Sequence, residues 1–487
     1  MKNLQNILYK VSLTAVNGSL DRDVNQIDFD SRAVIPGSLF VALKGEQVDG
    51  HDYIDKAIAA GAIAVIAERK VENVPTEVTF IEVKDAHEAL GYLAANFYDN
   101  PSEEIKLIGI TGTNGKTTTT TLLFDVFTDL GHKCGLLSTV VNKIGTKEVP
   151  ATHTTPNPVA LNHLLRNMIE EGCTFCFMEV SSHAIVQRRI AGLKFDIACF
   201  TNISHDHLDY HKTFKEYIYA KKRFFDDLGS NAIAIVNTDD TNGKVMVQNS
   251  SATVKTMALK QVADYKAKII ENSFAGLVLN MDQHELWTHL VGGFNAYNLL
   301  LVYAVAMELE QDQMDVLQSI SKLKSVEGRF EHLRSTTGVV AIVDYAHTPD
   351  ALKNVLSTIQ AVRTRNEQVI TVVGCGGDRD RTKRPLMAQI AASLSDRVIL
   401  TSDNPRTEDP QAIIDEMKTG VPVERSAHVM AITNREEAIK VASALAAAGD
   451  ILLVAGKGHE KYQEINGERF PFDDFEIVQE TLKNLNK

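Results

Sequence analysis

The sequence is poor in the features that mark secreted, disulfide-stabilised or zinc-binding proteins. Only five of its 487 residues are cysteine, and they are scattered at Cys134, Cys173, Cys176, Cys199 and Cys375. Cys173 and Cys176 form a CxxC pair, but the pair lies in an apolar, strand-like run and no second pair follows. This setting favours buried strand residues over a metal site. We therefore expect no disulfide framework.

Long apolar runs and an excess of basic residues are also missing. No stretch reaches the length of a membrane-spanning helix, and the N-terminal MKNLQNILYKV lacks the apolar core of a signal peptide. The 50 lysines and arginines are outnumbered by 63 aspartates and glutamates, giving a net charge of −13. Nucleic acid and anionic membranes both require basic patches. The expectation is a cytoplasmic monomer with small-molecule partners and with neither nucleic acid nor membrane as a partner.

The length and the apolar content, in contrast, suit a globular enzyme of several domains. A chain of 487 residues, 44% of them apolar, exceeds one core and predicts about three domains. We place them at residues 1–102, 103–333 and 334–487, with a linker at 100–102, Asn-Pro-Ser. Strand-like and helical segments alternate in the first domain, with strands at 39–43, 62–67 and 78–83 and helices at 53–60 and 86–98.

The strongest local signal is residues 105–130, IKLIGITGTNGKTTTTTLLFDVFTDL. A buried strand, a glycine turn and a helix follow one another, and Gly131 ends the helix. Backbone N–H groups and the helix dipole then point at one spot, which favours a bound anion. The turn approaches the P-loop pattern, although Ile110 replaces its first glycine. Lys116 would contact the outer phosphates of ATP, and the Thr117 hydroxyl would bind Mg²⁺.

Two further polar segments follow strands of the middle region. Residues 173–180, CTFCFMEV, are strand-like, and Glu179 lies at the carboxyl end, where a sheet beside a P-loop holds Mg²⁺. Another strand leads into residues 201–211, TNISHDHLDYH, whose histidines and aspartates suggest a metal shell; a solvated surface loop is the alternative. Asn295 and Asn298 fall one turn apart on one face of the helix that GGFNAYN opens.

The third region alternates strands and helices, which predicts a mostly parallel sheet with ligands at its carboxyl edge. The predicted strands cover 339–343, 369–373, 398–401 and 451–455, and the helices 350–364, 385–394, 411–419 and 435–447. A polar cluster follows each strand: DYAH at 344–347, GCGGDRDRTKR at 374–384, DNPR at 403–406 and GKGHE at 456–460. Four clusters at one edge indicate a binding site rather than ordinary solvated loops.

These stretches resemble a known family. In order along the chain, TGTNGKTT, EVSSHA, NISHDHLDYH, GGFNAYN, GRF and DYAHTP resemble the Mur ligases of cell-wall synthesis. The DSR, LKGEQVDG, GCGGDRDRTKRP, DNPR and GKGHE segments narrow the resemblance to the member that adds the third residue of the peptide stem. DNPR resembles the form that selects meso-diaminopimelate rather than lysine.

The resemblance implies a fold and a reaction. The fold would be α/β in three domains: an N-terminal α/β uridine-nucleotide-binding domain, a central P-loop ATPase-like parallel-sheet domain and a C-terminal Rossmann-like domain. The reaction would be ATP-dependent ligation of meso-diaminopimelate to UDP-N-acetylmuramoyl-L-alanyl-D-glutamate through an acyl phosphate. A lysine-adding ligase and a P-loop nucleotide-binding regulator without ligase chemistry are the alternatives.

The resemblance also implies roles for individual residues. The UDP-sugar-peptide is expected on Ser31, Glu46, Gln47, Thr154, Thr155, Ser181, Gln187 and Arg189. ATP is expected on Gly112, Thr113, Asn114, Gly115, Lys116, Thr117, Thr118, Asn295, Asn298, Arg329, Asp344 and His347. Mg²⁺ is expected on Thr117, Glu179, His207 and a carbamylated Lys221. The amino acid is expected on Arg379, Asp403, Asn404, Pro405, Arg406, Gly456 and Glu460.

Lys116, Lys221 and His207 are the catalytic residues that the resemblance implies. Two positions depart from the family pattern. Lys222 and Arg223 directly follow Lys221, so the identity of the modified lysine stays open. His205 stands where relatives can hold an arginine, and it receives no role.

Overall fold

Strands form where short runs of valine, isoleucine, leucine and alanine occur in the sequence. The computed structural model describes residues 1–45, 48–71, 75–151, 153–204 and 208–487. The strands are β1 Lys2–Asn3, β2 Leu13–Asn17, β3 Asp23–Val24, β4 Gln26–Asp28, β5 Ser38–Val41, β6 Ala64–Ala67, β7 Thr79–Val83, β8 Lys106–Thr111, β9 Cys134–Leu137, β10 Asn142–Ile144, β11 Lys147–Val149, β12 Phe175–Glu179, β13 Ile197–Phe200, β14 Ile233–Asn237, β15 Thr253–Ala258, β16 Tyr265–Ser273, β17 Gly276–Met281, β18 His284–Thr288, β19 Glu331–Arg334, β20 Val340–Asp344, β21 Val369–Cys375, β22 Arg397–Ser402, β23 Val429–Ala431, β24 Ile451–Ala455, β25 Tyr462–Ile465 and β26 Glu468–Pro471.

Helices occupy most of the segments between these strands. The α-helices are α1 Leu4–Ile7, α2 Ile54–Ala59, α3 Ala86–Phe97, α4 Lys116–Asp129, α5 Pro158–Glu170, α6 Ser182–Val186, α7 Leu208–His211, α8 Phe214–Asp226, α9 Gly243–Met246, α10 Gly293–Glu308, α11 Gln313–Lys322, α12 Pro349–Val362, α13 Lys383–Leu394, α14 Pro410–Lys418, α15 Arg435–Leu445 and α16 Asp474–Asn484. Short 3-10 helices occupy Gly50–Tyr53, Pro101–Glu103 and Val423–His428. Among the described residues, no helix combines the length and the apolar character needed to cross a bilayer.

The chain divides into two compact units. The first contains residues 1–112, 123–201 and 217–256, and the second contains residues 113–122, 202–216 and 257–487. The predicted alternation of strands and helices is confirmed, because each predicted element lies within a few residues of an observed one. The domain bounds at residues 102 and 333 remain a prediction.

The first unit holds the two-stranded β1-β3 sheet, a five-stranded N-terminal sheet and the parallel strands of a second large sheet. The N-terminal sheet has the order β2-β7-β6-β5-β4, in which β4 to β7 are parallel, and apolar side chains cover both of its faces. In the second sheet, the parallel strands β9, β12, β8, β13 and β14 are neighbours in that order. Cys176 lies buried in β12, as predicted, and Cys173 is buried just before that strand rather than in it. The other three cysteines are also buried.

The second unit contains the C-terminal sheet, in the order β19-β20-β24-β21-β22-β23. Its strands β20 to β24 are parallel, and only β19 runs antiparallel among the described strands of this sheet. Apolar residues of α12, α13 and α14 pack on one face and those of α15 and α16 on the other. This doubly covered parallel sheet is the α/β fold predicted for the region, and such burial explains its continuous apolar strands.

A buried ion pair ties the outer helices to the strand ends of this sheet. Arg435 of α15 donates to both carboxylate oxygens of Asp474 in α16, at 2.8 and 2.6 Å, and neither side chain is exposed. The same guanidinium donates to the carbonyl of Ala455, the last residue of β24, at 3.1 Å. An arginine can be buried here because both the carboxylate and the carbonyl compensate its lost hydration.

Replacing one partner of this pair should destabilise the protein strongly. Asp474→Ala would leave the Arg435 cation buried and uncompensated, which typically lowers the free energy of unfolding by about 3–5 kcal/mol. Urea unfolding followed by circular dichroism measures this change. The matched control is Glu436→Ala, which breaks the exposed Glu436–Lys440 pair and should cost less than about 1 kcal/mol. Equal effects of the two substitutions would contradict the interpretation.

Candidate active site

The glycine turn lies where the sequence predicts it, between the end of β8 at Thr111 and the start of α4 at Lys116. Gly115 has a φ of +88°, a left-handed backbone that favours glycine. Asn202, to which the sequence analysis gave no role, braces the turn. Its carbonyl accepts the Thr113 N–H at 2.8 Å, and its side-chain oxygen accepts the Asn114 N–H at 3.0 Å.

Lys116 and Thr117 open the helix that follows this turn. The Lys116 ammonium donates to the Thr113 carbonyl at 2.9 Å, so it folds back over the turn. The Thr117 hydroxyl accepts a hydrogen bond from Nη2 of Arg329 at 3.2 Å. The guanidinium of Arg329 also lies 4.8 Å from the ring centre of Tyr345. The predicted nucleotide residues Thr117 and Arg329 are therefore adjacent, although their contact with ATP remains a prediction.

The two asparagines at the start of α10 form a buried hydrogen-bonded pair. Asn298 Nδ2 donates to Asn295 Oδ1 at 3.0 Å, as side chains one turn apart can. Asn295 Nδ2 donates in turn to the Val291 carbonyl at 2.8 Å, and Asn298 Oδ1 accepts the Thr119 hydroxyl at 3.4 Å. They thus connect α10 with α4, and their predicted adenine contact stays untested.

The structure distinguishes the two adjacent lysines of α8. Lys221 is 1% exposed, and its ammonium donates to the Gly112 carbonyl at 2.9 Å. Lys222 instead forms an ion pair with Asp226, one turn further along the helix. Lys221 is therefore the lysine whose side chain reaches the glycine turn, a question that the sequence left open.

Glu179 ends β12, and its backbone lies in register with Ile110 of β8. The side chain is fully buried, and Oε1 accepts the Thr139 N–H at 2.7 Å. Oε2 is buried and has no hydrogen-bond partner among the described residues. A buried carboxylate oxygen in this state is costly unless a cation or another ligand neutralises it. The position therefore fits a hard cation such as Mg²⁺.

The other predicted metal ligands do not complete a visible cluster. Within residues 1–45, 48–71, 75–151, 153–204 and 208–487, no group of three His, Cys, Asp or Glu side chains could hold a metal ion. His207, the predicted ligand and catalytic residue, lies outside the described residues, as does His205. Thr117 and Lys221 contact Arg329 and Gly112, respectively.

Several of the predicted contacts to the sugar-peptide lie around the end of β12. The Thr155 hydroxyl donates to the Glu179 carbonyl at 2.8 Å and accepts the Ser181 N–H at 3.2 Å. Arg189 donates to the Thr155 carbonyl at 2.7 Å and to the side-chain oxygen of Gln187 at 2.7 and 3.0 Å. The fifth predicted residue here, Thr154, accepts the Thr139 hydroxyl at 3.1 Å.

Ser31, the first predicted uridine contact, lies in the N-terminal part of the first unit. It is buried between the exposed side chains of Asp30 and Arg32, which form an ion pair at 2.6 Å. Hydrogen bonds from Arg32 lower the pKa of Asp30 to about 2. The other two predicted contacts, Glu46 and Gln47, lie outside the described residues.

The four polar clusters of the third region meet at one edge, as predicted. They follow β20, β24, β21 and β22, which are neighbours in that order. Asp344 ends β20, and burial raises its pKa to about 6, although Arg329 and the Phe330 N–H at 2.6 Å oppose this shift. The His347 ring contacts the Tyr345 carbonyl at 2.9 Å, and its own carbonyl accepts the Lys383 ammonium at 2.9 Å.

The buried Lys457, which the sequence analysis did not select, lies at the centre of the predicted amino-acid pocket. Its ammonium donates to Asn404 Oδ1 at 2.9 Å and to Glu460 Oε2 at 3.2 Å. Burial alone would raise the pKa of Asp403, but Lys457 and Arg435 hold that pKa below its usual value. The only sequence signal for Lys457 is its place between two glycines in GKGHE.

Less of the Glu460 carboxylate is available to a ligand than the sequence suggested. Oε2 accepts Asn404 Nδ2 at 2.8 Å in addition to Lys457. Because Asn404 Oδ1 accepts from Lys457, its NH₂ group must face Glu460. Asp403 packs against Gly456 so closely that a Cβ at position 456 would lie 2.6 Å from the carboxylate. These contacts require glycine at 456 and fix the orientation of the pocket side chains.

Arg379 and Arg406 both flank Gly376. A Cβ at position 376 would lie 3.0 Å from Arg406 Nη1 and 3.8 Å from Arg379 Cγ, so the two arginines share this corner of the edge. Arg406 follows Pro405 and donates to the Gly377 carbonyl at 2.8 Å. The two arginines therefore lie close enough together for the predicted joint binding of one carboxylate.

Not every residue of the GCGGDRDRTKR cluster faces a ligand. Arg384 is fully buried and donates to Glu408 at 2.8 and 2.9 Å and to Glu416 at 2.8 Å. Arg381 also pairs with Glu416. Hydrogen bonds from Arg384 lower the pKa of Glu408 to about 2. Arg384 of α13 thus pairs with Glu416 of α14 and has a structural role, while the contact of Arg379 with the amino acid remains a prediction.

Comparison with known proteins gives three matching family models in consecutive segments. Residues 23–98 match the model described as "Mur ligase family, catalytic domain". Residues 110–306 match the "Mur ligase middle domain", and residues 328–458 match the "Mur ligase, glutamate ligase domain". The three-domain architecture expected from the sequence is thereby confirmed.

Full-length relatives agree with these matches. The chain is 55% identical to a UDP-N-acetylmuramoyl-L-alanyl-D-glutamate–2,6-diaminopimelate ligase of Cytophaga hutchinsonii, over 99% of this chain and 100% of the relative. It is 50% identical to the ligase of the same name from Bacteroides thetaiotaomicron, over 98% and 99%. A solved structure of a ligase with this name is 34% identical and superposes with a TM-score of 0.69, covering 100% of this chain and 99% of that one. The chain belongs to the Mur ligase family, whose members are ATP-dependent acid–amino-acid ligases.

Proposed function

We propose that this chain joins meso-diaminopimelate to UDP-N-acetylmuramoyl-L-alanyl-D-glutamate in peptidoglycan precursor synthesis, with ATP as the energy source. The full-length relatives that carry the name of this enzyme support the proposal. The reaction would take place in the cytoplasm, where ATP is available, and the enzyme would be a monomer.

The observation that carries the proposal is the charge arrangement at the carboxyl edge of the C-terminal sheet. Arg379 and Arg406 flank Gly376. Glu460 follows the neighbouring strand β24 and accepts a hydrogen bond from Asn404. The far end of meso-diaminopimelate bears both a carboxylate and an ammonium, whereas lysine has only the ammonium. A planar guanidinium can hold a carboxylate with two parallel hydrogen bonds. The arginines would therefore bind the group that distinguishes the two amino acids.

The remaining chemistry follows from the poor reactivity of a carboxylate toward an amine. Transfer of the γ-phosphoryl group of ATP to the carboxylate of the nucleotide-sugar peptide forms an acyl phosphate and ADP. The uncharged amine then attacks the acyl carbon, and the tetrahedral intermediate collapses to the amide and inorganic phosphate. Both steps build negative charge, so the protein contributes mainly positioning and neutralising groups.

The groups at the glycine turn suit that task. The Lys116 ammonium and the N–H groups between Gly112 and Thr118, other than those of Thr113 and Asn114 that Asn202 accepts, would bind the ATP phosphates. Glu179, with one unsatisfied oxygen, and a carbamylated Lys221 would hold Mg²⁺, with Thr117 and His207 as further ligands. When bound, Mg²⁺ neutralises charge on the phosphates.

Lys116→Ala should abolish ligation. The substitution removes the side-chain cation of the phosphate-binding turn, and a loss of roughly 10³-fold in kcat or more is expected from such groups. Phosphate release in the presence of all three substrates measures the effect. The thermal unfolding midpoint should change little, because the ammonium donates to the Thr113 carbonyl, a contact within a single turn of the chain. Near-normal turnover would remove Lys116 from the mechanism.

Lys221→Ala should lose most of the activity, and acetate or formate should restore part of it. An unmodified ammonium would repel Mg²⁺, whereas reaction of the amine with CO₂ releases a proton and gives a carbamate that can bind the ion. A small carboxylate could occupy the space that the substitution opens and replace the lost carbamate. Lys222→Ala is the matched control, because its side chain pairs with Asp226 instead. Chemical rescue of the Lys222 variant rather than the Lys221 variant would reverse the assignment.

Arg406→Ala should raise the KM for meso-diaminopimelate sharply and leave the KM values for ATP and the nucleotide-sugar peptide nearly unchanged. The wild-type enzyme should reject lysine by about 10⁴-fold, because lysine leaves the arginines without their partner. An amino-acid panel assayed with ATP and the dipeptide substrate, with product masses determined, tests both statements. Equal use of lysine and meso-diaminopimelate by the wild-type enzyme would contradict the proposed substrate.

A further inference from the structure

The DNPR loop is hydrogen bonded along its length to the hairpin of β25 and β26. The backbone of Arg406 donates to the Glu464 carbonyl at 3.1 Å, and its own carbonyl accepts the Asn466 N–H at 2.7 Å. Gln463 Nε2 donates to the Asp403 carbonyl at 2.7 Å, and the Glu464 N–H donates to Asn404 Oδ1 at 2.9 Å. The hairpin therefore serves as the support on which this loop is built.

Arg406 needs such support because its backbone is strained. Its φ of +51° lies in the left-handed region, which costs a residue with a Cβ on the order of 1 kcal/mol or more. A conformation of this kind persists only where surrounding contacts over-determine it. The two backbone hydrogen bonds to the hairpin supply that constraint.

Glu464 also contacts the side chain of Arg406. Its Oε2 lies 3.6 Å from Arg406 Nε, and both side chains are about a quarter exposed, at 24% and 22%. On the other side, Nη1 of Arg406 donates to the Gly377 carbonyl. Among the described residues, no hydrogen bond or ion pair involves Nη2, which carries two of the five guanidinium N–H donors.

We propose that Glu464 is a positioning residue for the choice of amino acid: it holds the Nε edge of Arg406 so that the Nη edge faces the far carboxylate of the substrate. This inference rests on the proposed function and adds a residue that does not itself touch the substrate. The contact orients the guanidinium before the substrate arrives, so less side-chain freedom is lost on binding.

Two substitutions test the reach and the charge of Glu464 separately. Glu464→Asp keeps the negative charge but shortens the side chain by one methylene, so the carboxylate no longer reaches Nε. Glu464→Gln keeps the length but loses the charge, and at 3.6 Å the contact with Nε is an ion pair rather than a hydrogen bond. Positioning through this ion pair predicts that both variants raise the KM for meso-diaminopimelate by roughly two- to fivefold, the worth of a partly exposed ion pair of about 0.5–1 kcal/mol.

The same variants should leave kcat at saturating meso-diaminopimelate and the KM values for ATP and the nucleotide-sugar peptide unchanged. Glu468→Asp is the matched control, because Glu468 is exposed on the other strand of the hairpin. In an Arg406→Ala background, Glu464→Asp should have no further effect, since the group that it positions is absent. This double-variant comparison also detects a general folding defect, which would add to the effect of Arg406→Ala.

A wild-type KM in Glu464→Asp, or parallel losses for all three substrates, would overturn the inference. A wild-type KM in Glu464→Gln would equally overturn it, because the ion pair depends on the charge of Glu464. Failure of the proposed function has a different signature, because the wild-type enzyme itself would then not use meso-diaminopimelate.

Discussion

The alignment of parallel strands is the constraint on which the functional features of both units depend. In a parallel sheet all carboxyl ends lie at one edge, so side chains that are distant in sequence meet there without any special contact between them. In the first unit this brings Thr111 and Glu179 to one edge. In the second unit it collects Asp344, Gly456, Gly376 and Asp403 from neighbouring strands. Apolar packing on both faces holds the strands in this register.

Charged side chains that are buried at those edges need neighbours of opposite charge, and the structure provides these neighbours. Lys457 and Arg435 each lie fully buried next to carboxylates, and together they keep Asp403 ionised within the sheet edge. Breaking one member of such a group is costly because the remaining charge is left in a medium of low polarity. Polar groups that are fully satisfied also have fixed orientations. The proposed amino-acid pocket would therefore be ordered before substrate binds, which reduces the entropy cost of binding.

Glu179 is the informative exception to this compensation. One of its carboxylate oxygens is buried without a partner among the described residues. Groups in this state are rare in folded proteins and occur where a ligand or ion completes them. The proposed ligation would give the exception a chemical reason, since a cation such as Mg²⁺ would lie beside the ATP phosphates.

The sequence by itself determined the α/β fold, the position of the glycine turn and the edge at which the polar clusters meet. These follow from apolar periodicity, glycine placement and chain order, which are local properties. Only the tertiary structure decided which of Lys221 and Lys222 reaches the turn, because adjacent helical residues point in different directions. Packing also gave Arg384 a structural role and placed Lys457 at the centre of the polar clusters. The burial and the partners of a side chain depend on contacts between distant segments. Those contacts leave no local pattern in the chain.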